Sequence, residues 1–152
     1  MRHLKREVIE RTQREYDALD RTVRRLRPSD WRRTPPRSDT DDPWTVKDVL
    51  VHITYWKEHS ARVFRGEKRP PELRGLDVNA INALIYRRWR GKSPAAVIAY
   101  HRATQREVLR LLRERPQAWF SQKEHAPDWP GDFGHHSRRH RMQDIAAVVP
   151  VT

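Results

Sequence analysis

The sequence predicts an all-α fold, a four-helix bundle with long interhelical loops. Three observations carry the prediction. Apolar residues recur at spacings of three and four over long stretches, the period of a helix with one buried face. Glycine is scarce, with 5 in 152 residues, and the 11 prolines concentrate outside those stretches, so tight hairpins have little to turn on. Charged residues make up 34% of the chain and hydrophobic ones 36%, a balance that suits helices with broad solvated faces better than a sandwich or a doubly wound sheet. A chain of 152 residues suits one domain, 1–152, and can bury a core without crosslinks.

The first helix is expected from about residue 3 to 27. Leu4, Val8, Thr12, Tyr16, Leu19, Val23 and Leu26 form its buried stripe, and Pro28 ends it. Residues 28–44, with four prolines and a polar run, read as a loop pinned by Trp31 and Trp44. Thr45 followed by Asp48 has the form of a capping box with Asp in place of Glu, so the second helix starts there. Its apolar face continues to about residue 65, with Gly66 as the stop. Residues 66–76 read as a second loop. A third helical segment runs from near Asp77 to Arg90. After the break at Gly91, Ser93 as N-cap and Pro94 at the first helical position start another helix, which reaches about Arg115. Residues 116–131 read as irregular, and a last helix is expected from about Asp132 to Val149. The sum is four main helices and one short one, with no internal repeat.

Composition also excludes. The chain has no cysteine, so disulfides, zinc–thiolate sites and a cysteine nucleophile are ruled out. That fits a cytoplasmic location, which is the expectation here. No apolar run approaches the roughly 20 residues that span a bilayer, and the basic start, Met1 to Arg6, has no apolar segment after it. No membrane association is expected. The formal charge of +12 invites a nucleic-acid partner. Much of the excess, such as Arg24, Arg25, Arg87, Arg88, Arg110 and Arg113, is spread along helix faces, where arginines commonly form a solvated surface among acids.

Eight histidines carry the chemical signal. His136 and His140 are four apart, which on a helix stacks both imidazoles on one face within reach of one ion. His52 is a third candidate ligand, on the flank of the second helix. A histidine hydrogen-bonded at a helix interface is the commoner use of such a position. Imidazole suits zinc, nickel, iron and copper rather than magnesium or calcium. Three imidazoles leave a coordination position open, the mark of a catalytic rather than a structural site. His101 shares the face of Val97, Thr104 and Val108; it either lines the same cavity or is a satisfied core histidine, the commoner case.

The segment Pro43-Trp-Thr-Val-Lys-Asp-Val-Leu-Val-His52-Ile-Thr-Tyr-Trp56 resembles the second-helix signature of the DinB-like bundle superfamily. His136-Ser-Arg-Arg-His140-Arg-Met-Gln143 is similar to its last-helix pattern of two histidines four apart followed by Arg and Gln. Asp77-Val-Asn-Ala-Ile-Asn82-Ala-Leu-Ile-Tyr86 resembles a stretch of the ClbS/DfsB-like branch. The resemblance covers nearly the whole chain. It implies an up-down-down-up bundle, a homodimer, and a divalent metal held by His52, His136 and His140, with zinc or nickel expected first and iron as a further candidate. Near such an ion, Tyr55, Trp56, Asn82, Tyr86 and His101 are the candidates to line a pocket.

Activities in that superfamily vary, so fold and ligands do not fix the reaction. The expected function is a metal-dependent hydrolase or thiol S-transferase that activates water or a low-molecular-weight thiol against an electrophilic small molecule, in detoxification or resistance. The competing reading is a non-catalytic basic helical protein that binds nucleic acid or a protein partner, whose mark would be steep salt dependence. A third is a bundle that keeps the metal and sequesters a ligand without chemistry.

Overall fold

The computed structural model describes residues 3–36, 44–122 and 142–149, and among these the protein is all helical. The elements are α1 (Lys5–Arg24), a 3-10 turn at Pro28–Arg32, α2 (Val46–Phe64), a second 3-10 turn at Pro71–Leu73, α3 (Val78–Trp89), α4 (Pro94–Glu114), α5 (Gln117–Phe120) and α6 (Met142–Ala146).

The boundaries follow local chemistry. Thr45 caps α2: its hydroxyl accepts from the Asp48 amide, while the Asp48 carboxylate accepts from the Thr45 amide at 2.9 Å. Asp77 caps α3 by accepting from the Ala80 amide, and Ser93 caps α4 by accepting from Ala96, with Pro94 at the first position. Helix α2 stops in a Schellman arrangement. Gly66 takes φ +75°, its amide donates to Val63 O, and the Glu67 amide donates to Arg62 O. Only glycine takes that φ without strain.

Helix α2 is the hub and packs on α4, α3, α6 and the first 3-10 turn; α1 packs on α4 and α6. The core has two apolar ends. One joins Leu19 and Val23 of α1, Leu50 and Ile53 of α2, Ile81 of α3, Val97 of α4 and Ile145 near the C-terminus. The other joins Val8 of α1, Ala61 and Phe64 of α2, Val108 and Leu112 of α4, and Phe120 of α5. The late residues of α1 thus meet the early residues of α2 and α4, so α1 runs opposite to both. Trp31 and Trp44 are buried and fix the two ends of the first loop.

Between the apolar ends lies a buried polar layer. Lys57 of α2 donates to Gln105 Oε1 of α4, and its ammonium sits 5.1 Å from the ring centroid of Tyr16. His101 of α4 stacks on Tyr16 at 4.8 Å and hydrogen-bonds Asp20 of α1 at 3.2 Å. Burial depresses Lys57 to about 8, with Glu15 opposing the shift. Burial, and then the charge of Lys57, depress His101 to about 4, against the pull of Asp20.

Two expectations about the chain's later part are corrected. The start of the 116–131 stretch is not irregular: Gln117–Phe120 forms a helical turn because Phe120 is fully buried in the second apolar cluster. The last helix ends at Ala146, and Ala147–Val149 form a turn that puts Val148 into the core. Residues 132–141, where the start of that helix is expected, lie outside the described residues.

Candidate functional site

His52 sits in the second turn of α2, one turn beyond Asp48, on the side facing α3. Only 7% of it is exposed, and its imidazole lies against the indoles of Trp44 and Trp56, with ring centroids 5.0 and 6.5 Å away. The helix places it there by register. Val49, Leu50 and Ile53 fill the core, and the face through Asp48, Val51, His52 and Tyr55 turns to α3.

A small cavity adjoins the imidazole. Asp48, Tyr55, Trp56, Asn82, Ile85 and Tyr86 share its wall with His52. Its free volume is about 10 Å³, on the order of the space one water needs. The wall is braced: Trp56 Nε1 donates to Asn82 Oδ1 at 2.8 Å, which ties α2 to α3, and the Trp56 ring meets that of Tyr55 edge-on. The Asp48 carboxylate is engaged by the Thr45 amide and hydroxyl, each at 2.9 Å. Burial raises the Tyr55 phenol above its ordinary value, so it is neutral near pH 7. Its hydroxyl makes no hydrogen bond of normal geometry, and the Arg62 guanidinium lies 5.9 Å from the ring centroid.

The structure therefore brings Tyr55, Trp56, Asn82 and Tyr86 to one cavity with His52. His101 does not line it; it belongs to the polar layer, held by Tyr16 and Asp20. His136 and His140 lie outside the described residues, and the described ones alone contain no cluster of three or more side chains able to hold a metal ion. For a metal, what the described residues offer at this place is one imidazole donor on α2, beside a water-sized space. An imidazole is a suitable element of a metal's donor set.

Sequence reasoning did not find Trp44 and Asp48 as cavity residues, nor the Lys57–Gln105 pair. Lys57 had a readable signal: it interrupts the buried stripe Ile53, Lys57, Ala61, Phe64 at helical spacing. Trp44 had none, because it joins the site from a loop.

The high charge is partly accounted for on the surface. Arg24 pairs with Asp20, Arg110 with Glu107 and Glu114, and Arg88 reaches Glu72 at 4.0 Å. Among the described residues no helix is long and apolar enough to cross a membrane.

No curated protein and no solved structure matches the chain. The sequence profile of the DinB superfamily matches residues 10–147, nearly the whole length and every helix described above. With that span, the chain belongs to the DinB superfamily.

Proposed function

We propose that the chain, as a single domain of the ClbS/DfsB-like branch folded as an up-down-down-up bundle, is a metal-dependent enzyme. His52, His136 and His140 would hold the ion, zinc or nickel before iron. When bound, the ion supplies Lewis acidity, which lowers the pKa of water or a thiol toward neutrality. The protein's residues do the rest. Trp44 and Trp56 exclude bulk solvent from the imidazole, Asn82 holds the Trp56 indole in place, and Tyr55 and Tyr86 complete the wall.

The observation that carries the reading is the burial of His52 in an aromatic cavity wall, within a chain that belongs to a superfamily in which metal binding is common. The small free volume favours water over a thiol as the co-substrate, hence hydrolysis of an electrophilic small molecule over S-transfer. Admission of a thiol would require Trp44 or Trp56 to swing aside.

The test is metal content by mass spectrometry on protein made without a polyhistidine tag. About one ion per chain is expected in the wild type and a loss of it in His136→Ala, with helical content unchanged. Full metal content in that variant would reject the triad. A homodimer and a cytoplasmic site of action belong to the same proposal, and sedimentation at two concentrations tests the dimer.

A further inference from the structure

A second cavity, larger than the one beside His52, lies at another place in the fold. It is a groove of about 790 Å³ at the end of the bundle where α1 finishes and α2 and α4 begin. Its size lies in the range of pockets that take small organic ligands. The floor is apolar: Leu26, Pro28 and the buried Trp31 come from the first 3-10 turn and its approach, with Tyr86 and Pro94 opposite.

The rim is cationic. Arg32, Lys47, Arg90 and Lys92 line the groove, and among the described residues the one carboxylate lining it is Asp48, which is already engaged by Thr45. Lys47 is fixed, donating to the carbonyls of Arg90 at 2.8 Å and Lys92 at 2.6 Å, so it holds the α3–α4 turn in place. Arg32, Arg90 and Lys92 form no ion pair with any described residue, whereas Arg24, Arg27, Arg62, Arg65 and Arg110 all do. Positive charge that the described residues leave uncompensated around an apolar floor attracts anions, and a concave wall concentrates the field.

We propose that this groove binds a small amphipathic organic anion, with its aromatic or aliphatic body on Trp31 and Tyr86 and its acidic group toward Arg32, Arg90 and Lys92. The proposal does not depend on the metal site. It does place the ligand next to His52, because Asp48 and Tyr86 line both spaces.

The test uses 8-anilinonaphthalene-1-sulfonate as probe, followed by isothermal titration and by probe and tryptophan fluorescence on the full chain. Its uncharged analogue N-phenyl-1-naphthylamine and inorganic phosphate are run beside it. Two charge-reversal doubles of equal charge change are compared, Arg90→Glu with Lys92→Glu in the groove and Arg106→Glu with Arg113→Glu on α4, and Arg32→Glu serves as a second groove variant. All five positions are exposed, and circular dichroism verifies folding. Saturable binding to the wild type is expected, weakened at least tenfold in the groove double and measurably in Arg32→Glu, and less than twofold in the α4 double. The neutral analogue is expected to bind at least tenfold more weakly, and equimolar phosphate not to displace the probe. Equal loss in both doubles, equal affinity for the neutral analogue, displacement by phosphate, or no binding at all would each overturn the proposal. None of these outcomes depends on metal content, so this proposal and the metal triad fail separately.

Discussion

His101 Nε2 lies 3.2 Å from Asp20 Oδ1, a buried contact that joins α4 to α1 in the middle of the bundle. A carboxylate can only accept, so an imidazole proton sits on Nε2, and burial, which lowers the pKa to about 4, keeps the ring neutral near pH 7. The groups around it are Tyr16 and Asp20 of α1, Lys57 of α2, and Arg102 of α4. Two of these are cations, and both discourage a second proton.

A pH dependence follows. His101 titrates near 4 in the folded protein and near its ordinary 6.5 when unfolded, so between those values the unfolded chain binds more protons. Its contribution is complete above pH 6.5 and is lost as pH falls toward 4, with a cost of about 3 kcal/mol. Thermal melts across that window should show the decline, and His101→Gln, which keeps an N–H for Asp20, should flatten it. Lys57, depressed to about 8 from 10.5, acts in the same direction at higher pH: stability should rise between 8 and 10.5.

Lys57 and Gln105 should be energetically coupled. Replacing Lys57 by Met removes a buried charge but strands Gln105 Oε1, whose amide nitrogen is already without a partner. In urea unfolding, Lys57→Met should therefore cost at least about 1 kcal/mol more with Gln105 present than in a Gln105→Leu background. Additive effects would mean that the pair does not interact.

Asn82 is expected to brace the site without binding metal. Asn82→Leu removes the Asn82 acceptor of the Trp56 indole N–H, so stability should fall by about 1 kcal/mol and tryptophan emission should shift. Metal content should not change. A drop in bound metal to half or less would make Asn82 a direct ligand.

Two glycines at helix ends should respond oppositely. Gly66 holds φ +75°, so Gly66→Ala should destabilise by about 1 kcal/mol although nothing crowds its Cβ. Gly91 has open space and an ordinary φ, and Gly91→Ala should be neutral or stabilise by about 0.5 kcal/mol. Denaturant midpoints distinguish the two.

Much of this was readable from the sequence, for identifiable reasons. The capping pair Thr45 and Asp48, the stop at Gly66 and the start at Ser93-Pro94 are local features, and local chemistry decides them. The aromatic surroundings of His52 were readable in part, because Tyr55 and Trp56 are on its own helix and Asn82 and Tyr86 belong to one motif. The role of His101 was undecided because Asp20, which settles it, is 81 positions away and shares no motif with it. The turn at Gln117–Phe120 was missed because a four-residue helix has no periodicity to read; only the burial of Phe120 fixes it. The groove at the bundle end was invisible for a similar reason: three separate chain segments build it.

The central claim is that His52, His136 and His140 hold one ion. The most direct measurement is X-ray absorption at the cobalt edge of protein loaded with one equivalent of Co(II), for the wild type and for His52→Ala. The account predicts a spectrum with three imidazole ligands in the wild type and fewer, or no bound cobalt, in the variant. An identical imidazole count in both would contradict it, as would a wild-type ion surrounded by water alone.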